Sequence, residues 1–141
     1  MKILIAEDEL VSRTLLTQML SPYGICDSAV NGREALEAVE FAYENNEPYD
    51  LICLDIMMPE MDGQEALVRI RDMEESRGIH GLARSRVIMT TCLDDAQNIL
   101  RAFSHGQCEA YLTKPVLPEK LSSQLRELGL CGKGSGSRLN G

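Results

Sequence analysis

Leu51-Ile52-Cys53-Leu54 runs directly into Asp55-Ile56-Met57-Met58-Pro59-Glu60-Met61-Asp62-Gly63. Four consecutive apolar residues without alternation describe a strand buried on both faces, the condition of a central strand in a parallel sheet. The strand ends on a carboxylate. On either side, Ile3-Leu4-Ile5-Ala6, Val87-Ile88-Met89-Thr90 and Ala110-Tyr111-Leu112-Thr113 have the same short apolar form, and a weaker strand fits Ile25 to Val30. Stretches of helical period separate them. The first runs from Leu10 to Leu20, with Leu15, Leu16, Met19 and Leu20 expected on its inner side and Ser21-Pro22-Tyr23-Gly24 stopping it. The second follows Asn31-Gly32, with Ala35, Leu36, Val39 and Ala42 inward and Glu37, Glu40 and Glu44 in water. A third spans about Gln64 to Arg77, and a fourth starts at Asp94 or Asp95 and reaches His105, where Gly106 closes it. The last follows Pro118 to about Leu128. Strand and helix in strict alternation predict an α/β, doubly wound fold: a five-stranded parallel sheet covered by five helices.

The 141 residues carry 14 Lys+Arg against 22 Asp+Glu, a net charge of −8, which argues against a basic nucleic-acid groove. Aromatic residues are 4% of the chain, so the core is expected to be aliphatic and base-stacking platforms are not. The five cysteines (Cys26, Cys53, Cys92, Cys108 and Cys131) form no C-x-x-C pair and have no histidine at zinc-ligand spacing. Reduced thiols in a cytoplasmic protein are the expectation. The apolar start runs into Glu7-Asp8-Glu9 too soon for a signal peptide, and no run is long enough for a membrane span. The loop arginines Arg77, Arg84 and Arg86 read as solvating charges. One folded unit is expected over residues 1–128, with a flexible tail over residues 129–141 rich in Gly and Ser.

In a doubly wound sheet, ligands bind beyond the carboxyl ends of the strands. Glu7 and Asp8 follow the first strand, Asp55 the third, Thr91 the fourth and Lys114 the fifth. These five polar groups should converge on one edge. Carboxylates held together repel unless they are protonated or neutralised, so the cluster suits a hard, oxygen-preferring cation such as Mg²⁺.

Taken in order, Ile3-Leu4-Ile5-Ala6-Glu7-Asp8-Glu9, Leu54-Asp55-Ile56-Met57-Met58-Pro59-Glu60-Met61-Asp62-Gly63, Met89-Thr90-Thr91 and Tyr111-Leu112-Thr113-Lys114-Pro115 resemble the receiver domain of bacterial two-component response regulators. The resemblance extends from about Met1 to Leu128. It implies a flavodoxin-like sheet with strand order 2-1-3-4-5. It also implies that Asp55 accepts a phosphoryl group from a phosphohistidine on a sensor histidine kinase or phosphotransfer protein. Mg²⁺ would be held by Asp8, by Glu7 directly or through water, by Asp55 and by the Met57 backbone carbonyl. Lys114, aimed by Pro115, would meet a phosphoryl oxygen, and Thr91 would donate its hydroxyl to another. Tyr111 matches the aromatic switch residue, and the surface of the fourth helix, fifth strand and fifth helix would then change shape to control a downstream protein.

The same resemblance implies a single-domain regulator, a monomer or a phosphorylation-dependent dimer, without direct nucleic-acid or membrane contact. Such a regulator would catalyse only its own phosphorylation and its dephosphorylation. The latter should be slow, because Met57 and Leu93 put apolar side chains where polar ones often place the attacking water. Three features depart from the family pattern: Glu7-Asp8 for the commoner Asp-Asp, Cys92 at a position usually small, and an additional residue between Gly106 and Lys114 in the stretch holding Cys108.

A haloacid dehalogenase phosphatase also attacks with a strand-end Asp, but carries a second Asp two residues later as acid/base. Met57 stands there and transfers no proton. Two other readings are a receiver-like binding module that works without phosphorylation and a receiver fragment of a larger regulator. P-loop and G-x-G-x-x-G fingerprints are absent.

Overall fold

A computed structural model describes residues 1–92 and 108–130 of the chain. Leu51–Asp55 forms β3, with all five residues buried. Around it lie β1 (Lys2–Ala6), β2 (Ile25–Ala29), β4 (Arg86–Thr91) and β5 (Ala110–Thr113). All pairings are parallel and the order is β2-β1-β3-β4-β5. The order reverses between β1 and β3, which opens a crevice at their carboxyl ends.

The helices among the described residues are α1 (Leu10–Leu20), α2 (Gly32–Glu44), α3 (Gly63–Ser76) and α4 (Pro118–Glu127). The expected helix from Asp94 or Asp95 to His105, with Leu93 before it and Gly106 after it, lies outside the described residues. Alternate strand residues face opposite sides. Leu4, Ala6, Ile52, Leu54, Val87 and Met89 pack with Val39 of α2 and with Leu67 and Ile70 of α3. Ile3, Ile5, Leu51, Cys53 and Ile88 pack with Leu16 and Leu20 of α1 and with Leu121 and Leu125 of α4. Leu15, expected inward, is 49% exposed, because Leu16 and Leu20 already fill the seam under α1.

Local chemistry sets the helix ends. Asn31 accepts from Glu34 N at 2.8 Å while Val30 N donates to Glu34 Oε1 at 3.0 Å, a reciprocal cap on α2. Asp62 caps α3 by accepting from Glu65 N at 2.9 Å. Pro118 opens α4, where a missing N–H costs nothing. Gly129 (φ 74°) and Leu130, which composition places in the tail, close this helix: Leu130 N donates to Leu125 O at 2.8 Å, and its side chain packs on the second core cluster. The rest of the expected tail lies outside the described residues.

The additional residue before Lys114 leaves the β4–β5 pairing regular, from Ile88↔Ala110 to Thr91↔Thr113. Glu109, just before β5, explains why. Its Oε1 accepts from Val87 N at 2.7 Å and from Arg71 Nη2 at 3.0 Å, and its Oε2 accepts from Arg84 Nη2 at 3.1 Å. Arg71 also donates to Glu74 Oε1 at 2.8 Å and to Ser85 O at 2.9 Å. Arg84 is therefore a structural partner rather than the solvating charge expected of it. Cys26, Cys53, Cys92 and Cys108 are free thiols, and burial pushes the Cys53 thiol up to about 12, which makes it unreactive. No helix of the described residues is long and apolar enough to cross a membrane.

Candidate functional site

The carboxyl ends of β1, β3, β4 and β5 deliver the polar groups. Glu7 N donates to Ala29 O at 3.0 Å, which extends the β1–β2 pairing by one residue and leaves Glu7 fully buried. Its carbonyl accepts from Arg13 Nη1 at 2.9 Å, and its Oε2 accepts from Glu9 N at 3.2 Å. Asp55 ends β3, and Ile56 N bonds back to Thr90 O at 3.0 Å. The chain then returns over the acid, and Met57 N donates to Asp55 Oδ1 at 3.3 Å. Gly63 is needed for this return: a Cβ there would lie 2.2 Å from Asp55 O.

Lys114 N donates to Thr91 O at 2.7 Å, which fixes the start of the lysine just past β5. The Lys114–Pro115 peptide is cis. Its ammonium lies 2.8 Å from Glu7 Oε1 and 3.1 Å from Asp55 Oδ2. One ligand atom each from Glu7, Asp8 and Asp55 lie within 4.8 Å of one another. Asp8 is exposed, so the cluster opens to solvent on its side.

Three carboxylates against one ammonium leave the cluster electronegative. Burial pushes the Asp55 carboxyl up, to about 7, and Glu7 adds to the rise through a hydrogen bond and its like charge, against the pull of Lys114. For Lys114, burial acts to lower the ammonium, but the hydrogen bond to Glu7 and the charge and hydrogen bond of Asp55 outweigh it, so the net shift is upward. Such a site is short of positive charge, and it holds its one ammonium firmly.

Of the residues picked out by their strand-end positions, Glu7, Asp8, Asp55 and Lys114 come together as side chains. Thr91 sits at the same edge, buried like its neighbour Thr90, and its hydroxyl donates to Cys92 O at 3.2 Å. Met57 shares the site through its backbone, with its side chain 58% exposed. Tyr111 is 40% exposed on β5. With Leu112, Thr113, Lys120, Ser123 and Gln124 it lines a depression of about 360 Å³ between β5 and α4. Arg13 and Gly63 were not singled out beforehand. Gly63 had a signal in the Asp62-Gly63 pair after a strand-end acid, whereas Arg13 bonds to a backbone carbonyl and leaves no charge pattern to read.

Residues 3–126 match the family model described as the response regulator receiver domain. The chain is 45% identical over 130 residues to hybrid signal transduction histidine kinase B of Dictyostelium discoideum, covering 88% of this chain and 6% of that protein. It spans 12% of the rice protein described as probable histidine kinase 2. Among solved structures it resembles the Saccharomyces cerevisiae Ssk1 receiver domain crystallised with the phosphotransfer protein Ypd1 (TM-score 0.76, 28% identity, 92% of this chain and 88% of that one). It resembles equally a chain of the CheX-CheY-BeF3-Mg²⁺ complex from Borrelia burgdorferi (TM-score 0.76, 26% identity, 91% and 88%). Fold order, a strand-end acid cluster and a family match over nearly the whole chain agree: this chain belongs to the response regulator receiver domain family.

Proposed function

We propose that Asp55 takes up a phosphoryl group from a phosphohistidine on a sensor histidine kinase or phosphotransfer protein, and that the modified domain signals to a downstream protein. The observation that carries this reading is the Lys114 ammonium bridging Glu7 and Asp55, with Asp8 within ligand distance of both. The donor set fits Mg²⁺. All three side chains offer hard oxygens, and the buried Glu7 Oε1 lies 2.8 Å from the Lys114 ammonium, the kind of oxygen a divalent cation takes. Asp8, Glu7, Asp55 and the Met57 carbonyl would hold the ion. When bound, it offsets the negative charge that an aspartate and a phosphoryl group bring to each other.

In the transfer, an Asp55 oxygen forms the bond to phosphorus as the bond to the donor imidazole nitrogen breaks, and the electron pair stays on that nitrogen. Lys114 stabilises charge on one phosphoryl oxygen, and Thr91 donates its hydroxyl to another. Burial of Asp55 limits water at the product. Movement of Thr91 would free space for the Tyr111 ring to turn inward, which alters the surface of β5, α4 and the expected helix after Asp95. The domain thus acts on no external substrate and catalyses only its own modification and its loss. We place it in the cytoplasm, as a monomer or a phosphorylation-dependent dimer.

Asp8→Asn should weaken Mg²⁺ binding about tenfold or more, with little change in stability because Asp8 is exposed. Calorimetric titration reads this, and chelation with EDTA should abolish uptake from acetyl phosphate. The apolar Met57 side chain, with Leu93 as its counterpart, predicts a long-lived phosphoprotein. Met57→Asn should shorten that lifetime roughly tenfold by placing water. A lifetime of seconds that the substitution leaves unchanged would contradict this. A second reading, a receiver segment of a larger signalling protein, is favoured by the small share of the matching kinases that the chain spans.

A further inference from the structure

The loop from Ile56 to Asp62 is fixed at two places, and Met57 lies between them. At its start, Ile56 N bonds to Thr90 O of the sheet at 3.0 Å, and Gly63 N bonds to Ile56 O at 2.8 Å. At its far side the loop is tied to the beginning of α2 by three contacts. Gly32 N donates to Met61 O at 3.1 Å, Arg33 Nε donates to Glu60 Oε1 at 3.0 Å, and Asn31 Nδ2 reaches Glu60 Oε2 at 3.4 Å. Gly32 is there because a Cβ would lie 2.3 Å from Met61 O. Glu60 has φ 67°, a left-handed conformation unfavourable for a residue with a side chain. Met61 N donates to Pro59 O at 2.7 Å and closes the turn within the loop, while the Glu60 carboxylate receives both side-chain contacts, so the turn is braced from outside by the start of α2.

We propose that Arg33 and Glu60 are positioning residues: through this strap the start of α2 sets the conformation of the loop that presents the Met57 carbonyl. The inference rests on the magnesium reading above, and it assigns a site-building role to residues that touch neither metal nor phosphoryl group. Both side chains are about half exposed, so replacing them leaves the core intact.

Charge and position predict opposite signs, which makes the proposal decidable. Arg33→Ala removes a positive charge from the neighbourhood of an acidic cluster. By Coulomb attraction alone, Mg²⁺ should then bind as well or better. Loss of the strap should make it bind worse, by about threefold to tenfold, at or below the range of direct outer-shell partners. Arg33→Lys, which keeps a cation facing Glu60, should stay near wild type.

The test combines calorimetric Mg²⁺ titration with amide hydrogen exchange on metal-free protein. In Arg33→Ala and Glu60→Ala, the amides of residues 57, 58 and 60–62 should exchange about fivefold faster while those of β3 keep wild-type rates. Unchanged loop exchange in Arg33→Ala, or Mg²⁺ bound as tightly as or more tightly than by wild type, overturns the proposal. Wild-type protein that binds no Mg²⁺ would overturn the magnesium reading instead, and the exchange measurement, made without metal, would still decide whether the strap holds the loop.

Discussion

Arg71→Ala should lower the free energy of unfolding by about 3–5 kcal/mol and shift the thermal midpoint down by roughly 10 °C or more. Arg71 is buried on α3, and the acceptors of its guanidinium include Glu74 Oε1, Ser85 O and Glu109 Oε1. Glu74 is fully buried, and its other oxygen accepts from Ser85 N at 2.8 Å and from Tyr43 OH at 3.2 Å. Removing the guanidinium leaves a carboxylate out of water with its counter-charge gone. That penalty, more than the worth of the intact ion pair, sets the size of the effect. An internal control is at hand. Arg69 pairs with Glu65 at 2.9 Å on the exposed side of the same helix, so Arg69→Ala should change stability by less than about 0.5 kcal/mol. Urea unfolding of the two variants in parallel checks the contrast, and equal losses would contradict this view of the network.

Asp55→Asn should abolish phosphoryl uptake and, in metal-free protein, stabilise the fold in a pH-dependent way. The Asp55 carboxyl is raised from its ordinary value of 3.8 to about 7 in the folded protein. Below about pH 4 both folded and unfolded chains hold the proton, and the variant should match wild type. Between about pH 4 and 7 the folded chain holds a proton that the unfolded chain has lost, so wild-type stability falls as pH rises. Above about pH 7 the fall from this group is complete. The amide stays neutral throughout, so its advantage grows across that window to about 2–4 kcal/mol at pH 8. Thermal melts of both proteins with EDTA from pH 4 to 8 read the difference. A constant offset would mean that burial and the neighbouring Glu7 do not raise the Asp55 carboxyl.

The residues that shaped these expectations differ in how readable they were. β3 was legible because a strand covered on both faces must be apolar at every position, and the helices because burial on one side imposes a period. Glu7, Asp55 and Lys114 are far apart in the chain, yet each follows a strand of a parallel sheet, and parallel strands bring their carboxyl ends to one edge. Position relative to the strands was therefore enough to assemble the site. The Arg71 network was not readable in this way. Its partners Glu74, Ser85 and Glu109 lie 3, 14 and 38 residues away, on a helix, a loop and the approach to β5. A buried arginine on a helix has the same letter as a solvated one. Leu15 failed for the converse reason: an apolar residue beside an inward stripe can remain outside it. Glu60 carries no mark of its left-handed backbone, since glycine or asparagine is the usual signal for that conformation.

The site's proposed chemistry reduces to which atom carries phosphorus. Wild-type protein and Asp55→Asn, each incubated with Mg²⁺ and acetyl phosphate, should be digested and their peptides weighed. We expect one added phosphoryl group on the wild-type peptide containing Asp55, dependent on Mg²⁺, and none on the variant. Unmodified wild-type protein, or a phosphoryl group found on another residue and kept by Asp55→Asn, would contradict the assignment.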